Sequence, residues 1–401
     1  MKKLISLILI STILYAIKGC SSDNGTDNEN SNCKSEIFEG NLILENQDEI
    51  NSLDSNCLTV INGSLVITGG INDISKLKNI RAINGRLFIN SSNLVNLDDL
   101  QSLNFVEDLQ LHDNINLKNI DGLHNLSSIK NIELYNNNSL SNLRGLRNLT
   151  KIEGDLHVSG NRLLASLDGL DKLVEIGGNF AVTGSYLKNL VGLQSLTSIK
   201  GYFQISENTL LTNLDGLESL TSVESLFFFS NDGEKSALIE IDGLENLEYT
   251  SRVDITQNFY LKSIFGLRNL KSNLTSLLIR NNFALTNLDG LEKITFVEDE
   301  LQIHQNYEIT DINGLQNVNY VGNTLNINGN SLITNLDALN KIPYVNGTVF
   351  IGANNALTDL CGIHQLIVNI YNDYKGQYIA LGSNGFNPLN NTDFVNGNCR
   401  L

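Results

Sequence analysis

A short phrase with apolar residues at its first and fourth positions, and usually glycine at its third, occurs thirteen times in this chain of 401 residues. Successive copies start 23 or 24 residues apart, with one longer step of 27 residues between Leu214 and Ile241. A fixed period of this size predicts a solenoid, in which each repeat forms one coil stacked on the coil before it. The copies start at Ile74, Leu97, Ile120, Leu143, Leu167, Leu190, Leu214, Ile241, Ile264, Leu288, Ile312, Leu336 and Leu360.

Each repeat also contains a short stretch in which apolar and polar side chains alternate, for example around Phe203 and Ile205. Alternation with a period of two indicates a β-strand. Such short strands cannot bury an apolar face alone, so we expect them to stack about 4.8 Å apart in one parallel sheet with right-handed crossovers. The predicted fold is mainly β, a single right-handed parallel β-helix or leucine-rich-repeat-like solenoid of about 13 coils of 23–24 residues, capped at both ends by disulfides.

Polar and glycine columns accompany the strands. An Asn column follows them from Asn114 to Asn354, and it includes Asn231. We expect these side chains to bond neighbouring backbone groups and to tolerate left-handed turn geometry. The phrase glycines indicate close packing rather than a strict need for positive φ, because Ala338 replaces one of them. Asp precedes many of these glycines, as Asp215 does, and we expect its oxygen to accept a free N–H at the start of a helical turn.

The amino terminus combines a basic start with the mostly apolar run Leu4–Ile17, which is too short for an ordinary membrane-spanning helix. It resembles a bacterial lipoprotein signal, because Ile17, Gly19 and Cys20 match the end of that pattern, whereas Lys18 departs from it. The resemblance implies export, cleavage before Cys20 and attachment of lipid to the Cys20 side chain.

Residues 20–32 contain no apolar side chain after the cysteine, and this composition predicts a disordered polar tether. Ser21 resembles the second position of lipoproteins sent to an outer membrane, so we expect an outer-membrane or cell-surface protein held only by its N-terminal lipid. The formal charge of −17 becomes −20 once Lys2, Lys3 and Lys18 leave with the signal. So acidic a chain without a basic patch argues against nucleic acid as a partner.

Four cysteines remain besides Cys20, an even number for an exported chain. Cys33 and Cys57 flank the first strand, and Cys361 and Cys399 flank the last segment. Both pairs lie where a solenoid must close its open ends. We therefore predict two end-capping disulfides, Cys33–Cys57 and Cys361–Cys399, and no metal site, because the spacings are too long for one.

The repeat carries a family likeness of the form Leu-x-x-Ile-x-Gly-x-Leu-x-Ile, seen in the segment from Leu149 to Val158. It resembles the receptor L-domain family, the leucine-rich ectodomain modules of insulin-type and epidermal-growth-factor-type receptors, which also occur in bacterial lipoproteins. The resemblance covers about residues 33–365. Residues Leu211 to Leu220 also resemble internalin-type leucine-rich repeats. The likeness implies a disulfide-closed β-helix. It names no ligand, since this chain has more uninterrupted coils than one L domain and lacks the receptors' cysteine-rich modules.

The predicted organisation follows from these features. The segments are 1–19, a lipoprotein signal peptide; 20–32, the tether; 33–57, an N-terminal cap; 58–359, the receptor L-domain-like solenoid; and 360–401, a C-terminal cap.

Motifs for chemistry are absent from the sequence, which has no phosphate loop, no nucleophile elbow and no histidine pair at metal spacing. His112, His157 and His304 are expected on the outward side of different strands, as solvated surface. Asp254 and Arg280 are expected to form a surface ion pair rather than a catalytic set. We predict no catalytic residue, no metal and no cofactor, and hence no enzyme.

Recognition is the stronger hypothesis, because the outward strand positions are irregular rather than a repeated lattice. Phe227 and Phe229 should both point outward beside the long repeat, unless the extra residues near Asn231 to Ser236 fold back over them. The candidate ligand-binding residues are Gln204, Phe227, Phe229, Asp254 and Arg280.

The predicted function is a monomeric, lipid-anchored binding or adhesion protein that recognises protein or glycan through its sheet face. One alternative is a structural surface spacer without a specific ligand. The other is a carbohydrate-active β-helix enzyme, which would need several acids close together in one cleft.

Overall fold

The protein is described by a computed structural model that covers residues 36–53, 58–230, 236–373, 378–386 and 396–400. All of these residues belong to the compact unit that runs from Ser35 to Leu401. The strands within it form one 21-stranded sheet in which the paired strands are parallel. The predicted mainly β solenoid of about thirteen turns is confirmed.

The elements follow one another in a regular order. The strands are β1 (Glu36–Glu39), β2 (Leu42–Leu44), β3 (Leu58–Asn62), β4 (Leu65–Thr68), β5 (Ala82–Asn90), β6 (Phe105–His112), β7 (Ser128–Ile129), β8 (Asn131–Tyr135), β9 (Lys151–Ile152), β10 (Leu156–Ser159), β11 (Glu175–Ile176), β12 (Phe180–Thr183), β13 (Ser198–Ser206), β14 (Ser222–Phe229), β15 (Arg252–Thr256), β16 (Leu274–Arg280), β17 (Phe296–His304), β18 (Tyr320–Val321), β19 (Thr324–Asn328), β20 (Thr348–Gly352) and β21 (Tyr378–Gly382). The α-helices are α1 (Gln47–Asn51) and α2 (His364–Asp373). Short 3-10 helices are Ser75–Leu77, Asp98–Leu100, Asp121–Leu123, Arg144–Leu146, Asp242–Leu244, Phe265–Leu267, Asn313–Leu315, Asp337–Leu339 and Cys361–Ile363.

A second extended segment precedes the main strand of the coil. It is short and separate in β9 and β11, which pair in parallel, and it merges with the main strand in the nine-residue β13. The register of the merged strands shifts between the two parts, as between Ile199 and Tyr202 of β13. The alternating pattern predicted only one strand per coil, because two-residue segments are too short to show alternation.

The interior is a continuous apolar column built by the inward strand positions and the apolar residues of the phrases. Leu214, Leu217 and Leu220 of one coil are all fully buried. Phe203 and Phe228 are also fully buried, and their rings meet edge to face with centroids 5.4 Å apart. Burial of each such side chain stabilises the fold by about 1.5–3 kcal/mol, so the coils hold together through a shared core.

The Asn column is buried and links successive coils through hydrogen bonds. The Nδ2 of Asn306 donates to the carbonyl of Ile279 at 2.9 Å. Its Oδ1 accepts from the backbone N–H of Asn282 at 3.0 Å, and its own N–H donates to Oδ1 of Asn330 at 3.0 Å. The predicted backbone bonding is confirmed. The residue with left-handed backbone geometry, however, is the one that precedes the column Asn, as Gln305 does with a φ of 54°.

The phrase glycines lie where the backbones of neighbouring coils meet. A Cβ on Gly145 would stand 1.8 Å from the carbonyl oxygen of Ile120, which leaves no room for a side chain. The predicted close packing is confirmed, although Gly216 also adopts a positive φ of 109°. In that coil the N–H of Gly216 donates to Oε1 of Glu218 at 2.9 Å, so the turn differs locally from a 3-10 helix.

The prediction that the phrase Asp caps the following turn was wrong. The free N–H groups at the start of these turns are bonded instead by a side chain two residues earlier. The N–H of Asp121 donates to Oδ1 of Asn119 at 3.2 Å, and the N–H of Asp215 donates to Oδ1 of Asn213 at the same distance. An Asx side chain reaches the N–H two residues ahead easily, so the acceptor belongs before the phrase.

The carboxyl end of the solenoid combines a helix, a strand and a disulfide. The predicted Cys361–Cys399 bond is present, with the Cα atoms 5.0 Å apart. Strand β21 pairs in parallel with β20, so the region predicted as a cap also extends the sheet. The predicted Cys33–Cys57 bond, the Cys20 lipid site and the tether lie outside the described residues.

Replacing Asn306 with Ala should lower the free energy of unfolding by about 2–4 kcal/mol, because the Ile279 carbonyl and the Asn282 N–H would both lose a buried partner. Asn313 is exposed in the same coil, and Asn313→Ala should change the unfolding free energy by no more than about 0.5 kcal/mol. Urea denaturation of both variants measures the difference. Equal losses would contradict a stabilising role for the Asn column.

Candidate functional site

The outward side of the sheet, called here the sheet face, carries side chains in fixed columns. Each strand of the stack places its outward residues beside those of the next, so Gln204, Phe227 and Asp254 lie next to each other on β13, β14 and β15. Phe229 and Arg280 occupy the adjoining column, with Thr256 between them. The five predicted residues are therefore brought together in one patch across four consecutive strands.

Phe227 and Phe229 are both outward and half-buried, whereas Phe228 between them is buried in the core. The Phe227 ring meets that of Tyr202 edge to face with centroids 6.0 Å apart, and the Arg252 guanidinium lies 5.6 Å from the Phe227 ring centroid. The predicted outward direction is confirmed. Both rings remain partly exposed on the sheet face.

Residues 231–235 of the long repeat, which include Asn231, lie outside the described residues, and the described chain resumes at Ser236. The Ser236 side chain is buried and donates to Oδ1 of Asn258 at 2.9 Å. Ser92 makes the same bond to Asn114 at 2.8 Å. After the insertion, the chain is therefore linked to the Asn column by the hydrogen bond from Ser236 to Asn258.

Asp254 is the electrostatic centre of the patch and is only 14% exposed. The Nη2 of Arg280 lies 3.2 Å from both carboxylate oxygens, and the Thr256 hydroxyl donates to Oδ1 at 2.5 Å. Arg252 is a looser neighbour, with its Nη2 3.6 Å from Oδ2. The predicted ion pair between Asp254 and Arg280 is confirmed. Two cations around one carboxylate leave a local excess of positive charge.

The outward histidines are packed rather than freely solvated, which corrects the expectation from the sequence. His112 pairs with Glu133 at 3.2 Å, and the Nδ1 of His157 lies 3.3 Å from the Tyr135 hydroxyl. The pKa of His304 is lowered, first because burial disfavours the charged ring and then because Arg280 lies nearby. Stacking of neighbouring coils brings outward side chains close enough to cover one another.

A depression of about 260 Å³ lies beside the patch and was missed by the sequence analysis. Its lining consists of Tyr135, His157, Val158, Ser159, Ala181, Thr183, Tyr202 and Gln204. Gln204 thus belongs both to the patch and to the depression. The available signal was the small side chain of Ala181 in an otherwise bulky column, but only the register shows which residues surround it.

The pKa of Tyr135 is raised, chiefly by burial and then by the negative charge of Glu133, with smaller contributions from Tyr202 and Asp155. The phenol therefore stays protonated and remains a hydrogen-bond donor at ordinary pH. Across the described ranges, no group of three or more His, Cys, Asp or Glu side chains is placed to hold a metal ion.

Replacing Phe227 or Phe229 with Ser should cost no more than about 1 kcal/mol of unfolding free energy, because each ring is only half-buried on the sheet face. Phe228→Ser is the matched control on the same strand, and loss of that buried ring should cost at least about 3 kcal/mol. Denaturant unfolding of the three variants measures the values. A loss at Phe227 or Phe229 as large as that at Phe228 would place the outward rings in a covered core.

Residues 32–144 match the model of the Receptor L domain family. The match spans the first part of the region, about residues 33–365, whose sequence resembles L domains. No curated protein matches this chain.

Several solved structures have a similar chain path. An internalin (InlF) from Listeria monocytogenes is 18% identical, with 87% of this chain and 86% of that chain covered and a TM-score of 0.39. A leucine-rich-repeat protein of Leptospira interrogans is 14% identical, with 90% and 86% covered and a TM-score of 0.35. The functional domain of InlJ from Listeria monocytogenes is 16% identical, with 73% and 68% covered and a TM-score of 0.30. The match to the Receptor L domain family confirms the resemblance to receptor L domains over residues 32–144.

Proposed function

We propose that this chain is an exported, lipid-anchored binding protein that recognises a protein or glycan ligand through its sheet face. The observation that carries the proposal is the contiguous patch formed by Gln204, Phe227, Phe229, Asp254 and Arg280. Aromatic rings and arginines are the side chains that most often supply binding energy at interfaces. The patch lies on strands rather than loops, so little conformational entropy is lost when a ligand binds.

The electrostatic arrangement favours a specific ligand over general adhesion. Asp254 is held by Arg280 and by the Thr256 hydroxyl, so its position is fixed before any ligand arrives. The Arg252 guanidinium lies against the Phe227 ring, and its Nη2 is 3.6 Å from Oδ2 of Asp254, which is too long for a strong hydrogen bond. The guanidinium therefore has donors left for a ligand oxygen.

The anchoring part of the proposal is supported by the amino-terminal sequence, with its lipoprotein-like segment ending at Cys20. Neither of the two described helices, α1 and α2, has the length and hydropathy of a membrane span. The N-terminal lipid is the proposed attachment, and the outer membrane or cell surface is the proposed location. The proposed ligands do not include nucleic acid, because the chain carries a formal charge of −17.

Binding should depend on the outward phenylalanines. In a screen of the full chain against surface proteins and immobilised glycans, the double variant Phe227→Ser with Phe229→Ser should bind any ligand at least about tenfold more weakly, because both anchors of the patch are lost. Phe350→Ser, in the same column but several strands away, is the matched control and should bind normally. If the wild-type chain binds no ligand, the structural spacer is favoured. If the double variant binds as tightly as the wild type, the ligand-binding site does not include Phe227 and Phe229.

Lipid attachment should be visible in the mass of the mature amino terminus. The wild-type chain should begin at Cys20 and carry the added mass of acyl chains, because the preceding segment resembles a lipoprotein signal. Cys20→Ser should abolish this mass and release the protein from membranes. An unmodified Cys20 in the mature wild-type protein would rule out the anchor and leave the sheet-face proposal untouched.

A further inference from the structure

The depression on the sheet face is formed by a change in side-chain size along one column. His157, Ala181 and Gln204 are successive members of that column on β10, β12 and β13. Ala181 is by far the smallest of the three, and Ser159 and Thr183 beside it are also small. The result is a shallow site of about 260 Å³ with a small-residue floor. Pockets for drug-sized ligands measure about 300–1,000 Å³, so this one suits a single ring.

The walls of the depression are amphipathic. Tyr135 on β8 and Tyr202 on β13 both line it, and each has an apolar ring and a polar hydroxyl. The Tyr135 hydroxyl is already positioned by His157, whose Nδ1 lies 3.3 Å away. Such walls suit a ligand whose C–H groups pack against the tyrosine rings and whose hydroxyl groups form hydrogen bonds with the tyrosine hydroxyls.

His157, one of the lining residues, has unused hydrogen-bonding capacity. The Nε2 of His157 is buried and has no hydrogen-bond partner within the described residues. A buried polar atom in this state costs about 1–3 kcal/mol. Gln204 is weakly held, because its Nε2 lies 3.4 Å from the Ser206 hydroxyl. A modest movement of Gln204 can therefore accompany the entry of a ligand group that bonds the histidine.

We propose that this depression binds one ring of a neutral saccharide, with hydroxyl groups bonded by His157 and Gln204 and with C–H faces against Tyr135 and Tyr202. No lysine, arginine or carboxylate belongs to the lining, so a charged sugar gains no partner there. Glu133 lies next to His157 on β8 and disfavours an anion at that edge. The inference rests on the proposed sheet-face function and names the ligand class of that face.

The position of the depression allows a longer glycan to continue into the patch. Tyr202 lines the depression and contacts Phe227, and Phe227 in turn lies beneath Arg252. Neighbouring strands lie about 4.8 Å apart, so Ala181 on β12 and Phe227 on β14 are separated by two strand steps, about 10 Å. A longer saccharide held at Ala181 can therefore run past Gln204 and place a later unit over Phe227.

The test fills the floor of the depression without removing any hydrogen bond. Ala181→Phe should reduce binding to a panel of immobilised neutral hexose and N-acetylhexosamine oligosaccharides by at least about tenfold, because the ring would occupy the ligand's place. His157→Phe, which removes Nε2 and keeps a ring, should also weaken binding. Val66→Phe is the matched control in the same column near the amino end, beside Phe88, and should bind within about twofold of the wild type.

Each outcome decides the proposal. Loss of neutral-saccharide binding by Ala181→Phe, with normal thermal unfolding and normal binding by Val66→Phe, supports it. The inference is overturned if the wild-type chain binds no neutral saccharide, binds only acidic ones, or binds equally well after Ala181→Phe. If the chain binds a protein but no neutral saccharide, and this binding is lost in the Phe227→Ser, Phe229→Ser double variant but kept in Ala181→Phe, the inference is overturned and the sheet-face function stands.

Discussion

Hydrogen bonding between successive coils is the constraint on which the rest of this structure depends. Parallel strand pairing holds the sheet, and the buried Asn column holds the turn that follows it, as Asn306 does by joining Ile279, Asn282 and Asn330. Both sets of bonds require the same register in every coil. A shift by one residue would turn the inward leucines toward solvent, so the apolar core and the hydrogen bonds enforce a single arrangement.

This fixed register also creates the candidate site. Residues about two dozen positions apart in the sequence, such as Gln204 and Phe227, become neighbours on the sheet face. The side chains are then positioned by a rigid sheet, and pairs such as Asp254 with Arg280 are formed before a ligand binds. The irregular columns of the sheet face therefore present a specific surface, while the regular interior supplies the stability.

Most of the fold could be predicted, because it repeats. The period of the phrases, the alternation in the strands and the positions of Cys361 and Cys399 all pointed to features that the structure contains. Local chemistry was harder to predict. The capping role was assigned to Asp215 instead of Asn213, since a sequence column does not show which side chain reaches which N–H. His112 was expected in solvent and instead contacts Glu133 of the next coil.

The sequence by itself determined the coil and its inward face, because burial of one apolar column requires the same spacing in every repeat. It also placed Phe227 and Phe229 outward, because strand side chains alternate. Only the tertiary structure decided which outward side chains meet. The depression at Ala181 exists because the stacked coils bring Tyr135 and Tyr202, which are 67 positions apart in the sequence, to one small-residue floor, and no local pattern records a contact made between coils.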